Sequence, residues 1–491
     1  MPRRQVLVVT AVTITVVGVL LVRYRRKLAA SGTLNTWKEA AAMTGKLLDQ
    51  IDAYDSIKTL DFQMPLVMNV GLLAALQCEM RPRDATKVLG RLDQFAMGEG
   101  AHFMRFASAA YGAALMALFG LVKKPPPDKL KLPERQVELE SICEHTGVAA
   151  SDVVRMQVAS LDMTGDAQCL RHLILVDHSR RTVVLALRGT ASVADVFHDV
   201  VAHAEPFCGG LAHAGMASMA RAVWRASGVL VNATLAERRC LGYSLTVVGH
   251  SLGAGTAGLL TILLHHLREG ARTGTHQATR EAGGGSSSSA EEASAEDASP
   301  LPPPPPPEVK IRAFCFAPPP VFTLPASRTT SGSDLGAISA ALGSVTAFVF
   351  GDDCVPFLSA RAGRELLAAM HGIDECARCM PGVEVLRCIG RRAAAPAALS
   401  EGAGRKVRGL ANMPAAPELL MPASTFLWIK PNPSAVAGTP AYDAVECDTA
   451  MVADAVLGGV PLGTRMVMDH MTNEYENALS SCVLASTTNT S

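Results

Sequence analysis

The 491-residue chain has little charge and few aromatic rings. Only 18% of its residues are Asp, Glu, Lys or Arg, with 45 cations balancing 45 anions, and Phe, Trp and Tyr together make up 5%. Sparse, balanced charge leaves no electrostatic footprint for a polyanion, so no nucleic-acid partner is expected. The twelve cysteines are scattered without the paired spacing of a disulfide framework, which suits a reducing compartment better than a secreted scaffold. No internal repeat is apparent, which argues against a solenoid or propeller. What fills the chain is apolar: 49% of residues are hydrophobic, and the mean hydropathy of +0.22 is high for a soluble enzyme and points towards a membrane. The length suits one large α/β domain with appendages.

Long hydrophobic runs are also scarce, and the clearest is Val6 to Val22. About 17 residues at 1.5 Å each reach roughly 25 Å, the short end for a bilayer crossing. Arg3 and Arg4 precede the run, and Arg23, Arg25, Arg26 and Lys27 follow it. The heavier basic flank is C-terminal, so the positive-inside rule predicts an uncleaved anchor over residues 1–30 with the rest of the chain in the cytosol. A cleaved signal peptide is the rival; the basic stretch after the run and the lack of a small-x-small site count against it. Which membrane it would enter stays open. Residues 31–100 read as a mixed, helical region. Ala101 to Val122 is a further helical stretch, closed by Lys123-Lys124 and three prolines. It is expected to pack on the core, with an interfacial membrane helix as the alternative.

The most informative segment is Gly249-His250-Ser251-Leu252-Gly253. An apolar β-branched run, Leu245 to Val248, precedes it, and a helix-compatible stretch, Ala254 to Leu267, follows. A serine between a buried strand and a helix is a nucleophile elbow, and Gly249 and Gly253 are the small residues that let the turn close. Further strands are expected at Leu170–Leu175, Thr182–Leu187, Lys310–Phe316, Val345–Phe350 and Pro422–Ile429, the first two joined by a turn at Asp177 to Arg180. Strands alternating with helices predict a doubly wound, mostly parallel α/β sheet, and with the nucleophile elbow the expected fold is an α/β-hydrolase. Residues 270–308 break every periodicity with Gly283-Gly284-Gly285, four serines, an acidic patch and Pro302 to Pro307. They are expected to form a disordered insertion ending in polyproline II, a solvated spacer or a ligand for an SH3 or WW-type partner. Residues 372–417 read as loop-rich.

A serine hydroxyl needs a base to remove its proton, and the base needs an acid to orient it. In this fold they follow in the order Ser, Asp or Glu, His. His470 lies after the last expected strand, and His371 is the alternative. Asp353, with Asp352 as its rival, sits at the end of a β-run where a loop could aim it. Asp469, adjacent to His470, reads as a capping or surface carboxylate. The backbone N–H of Leu252 and the N–H and hydroxyl of Thr190 are candidates for an oxyanion hole. Ala191 to Phe207 carries Val193, Val196, Phe197, Val200 and Val201 at helical spacing, suggesting a lid with an apolar underside. Cys376, Cys379 and Cys388 lack a clear fourth ligand, so no metal site and no cofactor are expected.

In these residues the chain resembles the class 3 (fungal-type) lipases, and within them the diacylglycerol lipase-like branch. Phe103 to Gly112, Leu187-Arg188-Gly189-Thr190, His213-Ala214-Gly215-Met216, Gly249 to Gly255, Asp353-Cys354-Val355-Pro356 and Asp469-His470-Met471 follow the family's order. The Asp-x-Val-Pro likeness selects Asp353 over Asp352. The resemblance covers about residues 101–480, leaving 481–491 as a flexible tail. It implies hydrolysis of a glycerolipid acyl ester, typically the sn-1 chain of diacylglycerol, by a domain facing the cytosol. A phospholipase A1, a monoacylglycerol lipase or a protein depalmitoylase could use the same triad. An inactive lipid-binding scaffold is the reading from outside enzymology. The chain departs from multi-span animal members in its one apolar run and in its insertion after the nucleophile helix.

Overall fold

The computed structural model describes residues 63–64, 66–80, 94–123, 133–156, 170–189, 204–273, 300–324, 332–390, 393–410, 419–432, 442–449, 456–462 and 465–488. The expected anchor, Thr190 and most of the expected lid lie outside these residues. Among the described residues no helix is long and apolar enough to cross a membrane.

Among the described residues eleven strands run β1 (Val153–Met156), β2 (His172–Asp177), β3 (Thr182–Leu187), β4 (Ala204–Phe207), β5 (Gly210–His213), β6 (Ser244–His250), β7 (Ile311–Phe316), β8 (Phe322–Thr323), β9 (Val345–Phe350), β10 (Thr425–Pro431) and β11 (Tyr442–Asp448). The main sheet has the order β1-β2-β3-β6-β7-β9-β10-β11, and β4, β5 and β8 form a small antiparallel sheet. From β3 to β10 the neighbours are parallel, while β1, β2 and β11 pair antiparallel at the edges. The helices are α1 (Leu66–Met80), α2 (Gln94–Ala109), α3 (Ala113–Leu118), α4 (Glu134–Thr146), α5 (Ala214–Ala236), α6 (Leu252–Thr273), α7 (Gly332–Gly343), α8 (Ala360–Ala377), α9 (Gly382–Ile389), α10 (Ala397–Gly409) and α11 (Thr472–Thr488).

The central strands are buried on both faces, and successive side chains point opposite ways. Val183, Leu185, Leu245, Val247, Ala313, Cys315, Ala347 and Val349 pack with residues of α5, α6 and α7. Their neighbours Val184, Ala186, Val248, Phe314, Phe316, Phe348 and Phe350 pack with Phe103 and Phe106 of α2 and with Tyr475 and Leu479 of α11. This is the doubly wound sheet expected from the sequence.

Several expectations change. The stretch 101–122 is two helices, broken where Gly112 takes a φ of 88°; α2 itself begins at Gln94, across the expected boundary at residue 100. Likewise α11 runs to Thr488, past the expected start of a flexible tail. The loop-rich region 372–417 contains α8, α9 and α10. Its many Gly and Ala residues serve close packing: a Cβ on Gly372 would collide with the backbone of Gly402. These helices share a separate apolar core with α1, in which Leu72, Leu73, Leu76, Ile373, Val385 and Leu399 are buried. Two buried polar residues fasten this module. Asp374 accepts bonds from the N–H groups of Gln63 and Met64 at 3.0 and 2.8 Å, and Gln77 bonds Leu457 and Val460 carbonyls and the Leu462 N–H.

The expected insertion is also narrower. α6 continues through Thr273, and residues 300–308 lie against the body of the protein. The carbonyls of a polyproline segment have no partner of their own. Here Trp224 Nε1 donates to Pro302, Asn232 Nδ2 to Pro303, and Arg268 to Pro305, Pro306 and Val309, all at 2.8–2.9 Å. The C-terminal part of the insertion is therefore a strap bound across α5 and α6.

Candidate active site

Ser251 lies between β6 and α6 with a φ of 59°, in the left-handed region. The strain is imposed by a tight strand-to-helix reversal. A Cβ on Gly249 would strike the backbone of Gly253, and one on Gly253 would strike the carbonyl end of β3. The Ser251 N–H donates to the Phe316 carbonyl at 2.9 Å, fixing the turn to β7. Leu252 opens α6, at a position whose N–H has no acceptor within the helix.

His470 comes from the turn before α11. Its Nε2 lies 2.9 Å from Ser251 Oγ, and its Nδ1 lies 3.0 Å from both carboxylate oxygens of Asp353. Asp353 follows β9 through the turn at Gly351 and is fully buried. Its Oδ1 accepts the Val355 N–H at 2.9 Å, and its Oδ2 accepts the Tyr475 hydroxyl at 2.7 Å. That hydroxyl in turn accepts the Phe350 N–H at 3.0 Å. The three side chains thus form one hydrogen-bonded chain, from a carboxylate through an imidazole to a hydroxyl. The alternative His371 sits on α8, with its Nδ1 3.6 Å from Glu375.

Asp469 is not the surface or capping carboxylate expected. It is buried, its Oδ2 accepts the Asp352 N–H at 2.8 Å, and its Oδ1 accepts Arg465 Nε at 2.7 Å. It fills the space a Cβ would need at Gly351, where φ is 54°. The side chain therefore ties the turn carrying Asp353 to the turn carrying His470. Burial raises its pKa, against the opposing pull of the Asp352 N–H and Arg465.

Three other residues belong to the site and were not singled out from the sequence. His250 is buried, with its ring centroid 4.7 Å from that of His470. Its Nδ1 lies 2.9 Å from the Tyr111 hydroxyl. Burial, with His470 beside it, keeps its pKa well below the ordinary imidazole value. A neutral ring there avoids a second cation against His470. Tyr111 reaches the space beside Gly189, so its hydroxyl lies between the end of β3 and the elbow; burial pushes its pKa up. Tyr475 is the third, its pKa pushed far up by burial and the Asp353 charge, so it acts as a donor. His250 lies inside the elbow motif and Tyr111 inside the Phe103–Gly112 segment, while Tyr475 had no signal in the sequence.

Tyr475→Phe is expected to lower kcat by about 10- to 100-fold, since a hydrogen bond to a charged group is worth about 1.5–3 kcal/mol. Without that donor Asp353 is held less firmly and orients His470 less well, so the loss should fall on kcat while KM holds. An unchanged kcat would refute this role for Tyr475.

The described residues hold no group of three or more His, Cys, Asp or Glu placed to bind a metal ion.

The chain has relatives among known proteins. The family model described as "Lipase (class 3)" matches residues 184–279, which include the elbow. Diacylglycerol lipase-beta of Mus musculus is 31% identical over 185 residues, 33% of this chain and 26% of that protein. Diacylglycerol lipase-alpha of Homo sapiens is 39% identical over 102 residues, 18% of this chain and 10% of that protein. The chain thus spans about a quarter or less of the length of these curated relatives. Among solved structures, lipase II from Rhizopus niveus is 17% identical with a TM-score of 0.33, covering 54% of this chain and 76% of its own. A mutant form of MDLA from Penicillium cyclopium is 17% identical with a TM-score of 0.39, covering 78% and 99%.

Proposed function

We propose that the chain is a class 3 lipase, a serine carboxylic ester hydrolase that cleaves an acyl ester of a glycerolipid, first among them the sn-1 ester of diacylglycerol. The observation that supports this most is the unbroken hydrogen-bonded chain from Ser251 Oγ through His470 to Asp353. Diacylglycerol is favoured because both curated relatives are diacylglycerol lipases.

In this reading Ser251 Oγ attacks the acyl carbonyl carbon as His470 Nε2 takes its proton. Asp353 holds Nδ1–H and stabilises the imidazolium. Charge on the carbonyl oxygen is met by the Leu252 N–H at the start of α6 and by Thr190. His470 then protonates the departing glycerol oxygen, leaving an acyl-serine. A water molecule, deprotonated by the same imidazole, releases the fatty acid and restores Ser251. No step calls for a metal or cofactor. Residues 1–30 would anchor the enzyme, with the body at 101–480 in the cytosol beside its lipid.

The test is fatty-acid release by the full chain from diacylglycerol, triacylglycerol, phosphatidylcholine and monoacylglycerol in parallel mixed micelles, with a fluorophosphonate probe reporting the serine. Release mainly from diacylglycerol, with probe labelling, is expected. Release from another of these lipids alone would overturn the substrate. Folded protein that neither reacts with the probe nor releases fatty acid would overturn the enzyme.

A further inference from the structure

The module built from α1 and α8–α10 presents an apolar face that its own core does not use. α9 buries Val385 and Cys388, and its Ile389 side chain would meet a Cβ placed on Gly71 of α1. On the other side of the same helix Val383 is 64% and Leu386 56% exposed. These two are three residues apart, and Arg387 is four from Val383, so all three share one face. Arg387 is exposed, as are Arg405 and Arg408 on α10 and Arg378 just after α8, the last paired with Asp374 at 3.4 Å. Within residues 359–410 there are nine Lys or Arg against five Asp or Glu, in a chain whose net charge is zero. The module is thus net positive, and Arg387 places one of its cations on the same face as the exposed apolar pair.

The module also receives the N-terminal part of the chain. Gln63 and Met64 are bonded to Asp374 of α8, and α1 follows at once. The apolar run Val6 to Val22 lies only some forty residues before this attachment point.

We propose that the outer face of α9, with Val383, Leu386 and Arg387, docks on a lipid bilayer bearing anionic headgroups. The two apolar side chains enter the headgroup boundary while the Arg387 guanidinium beside them meets the phosphates and carboxylates. A docked α9 holds the module, and the protein with it, at the surface that holds the substrate. This step rests on the lipase reading; the docking itself does not.

The test uses the full chain in phosphatidylcholine vesicles with and without phosphatidylserine. In Leu386→Trp, about half or more of the added indole emission should be quenched by lipid brominated on its acyl chains, and more strongly when phosphatidylserine is present. The double variant Val383→Asp/Leu386→Asp should lose about tenfold in hydrolysis of vesicle lipid but stay within about twofold on a soluble short-chain ester. Added emission that brominated lipid leaves untouched, or unchanged vesicle hydrolysis by the double variant, would overturn the proposal; an added indole shielded by another protein would give the first of these. If the wild type hydrolyses neither substrate, the lipase reading fails, and the quenching result alone decides the docking face.

Discussion

Asp353→Asn is expected to lower kcat on any ester substrate about 10⁴-fold with the protein still folded. The carboxylate accepts three kinds of donor: His470 Nδ1–H, the Tyr475 hydroxyl on Oδ2 and the Val355 N–H on Oδ1. An asparagine has one accepting oxygen in place of two. Val355 is anchored in the turn after β9 and claims that oxygen, so the amide NH₂ is left facing His470 and Tyr475. The imidazole must then accept at Nδ1 and carry its proton on Nε2, where it cannot take the proton of Ser251. The loss is therefore a change of tautomer with the geometry kept, and the imidazolium formed during attack also loses its counter-charge. Second-order labelling by a fluorophosphonate should fall by a similar factor, since it uses the same proton transfer. A fall below about tenfold would show that Asp353 does not orient His470.

The sheet was legible because its strands are short, β-branched and buried on both faces, so that Val183 to Leu187 and Leu245 to Val248 stand out as continuous apolar runs. The edges were not. Every residue of β1 is only half-buried, and β11 mixes Asp443 and Glu446 with apolar residues, so neither has that signal. The module of α8–α10 escaped for a different reason. Its helices meet through Gly372 and Gly402, and residues that read locally as breakers are there to bring backbones together. Strap residues 302–309 read as free because their partners, Trp224, Asn232 and Arg268, lie 37 to 78 residues earlier in the chain. At the site, chain order and turn geometry nominated Ser251 and His470 and narrowed the acid to Asp353 or Asp352; the Asp-x-Val-Pro likeness chose Asp353, and the structure places His470 within hydrogen-bonding distance of both Ser251 and Asp353. Asp469 was misjudged because neighbouring side chains diverge: it points away from His470, and that is what lets it hold the turn of Asp353. Tyr475 contacts Asp353 only because α11 starts directly after His470 and turns back under β9.

Ser251→Ala and Ser251→Gly should both lose activity by about 10⁴- to 10⁶-fold, and they should differ in stability. Both remove Oγ and its bond to His470. Alanine keeps a Cβ at a φ of 59°, where an L-residue is strained, while glycine does not. Relief of about 1–2 kcal/mol is opposed by about 0.4–1 kcal/mol from the greater freedom of glycine in the unfolded chain. The glycine variant should therefore be the more stable by up to about 1 kcal/mol, read as a higher denaturation midpoint at unchanged slope. Gly249→Ala supplies the opposite case. Its new Cβ would meet the Gly253 backbone, so the elbow must open, and both activity and stability should fall. A Ser251→Gly protein less stable than Ser251→Ala by about 0.4–1 kcal/mol would mean the turn stores no strain. The expected difference, if found, measures what the fold gives up to hold a hydroxyl at the head of α6, between His470 and the helix N–H groups proposed to meet the oxyanion.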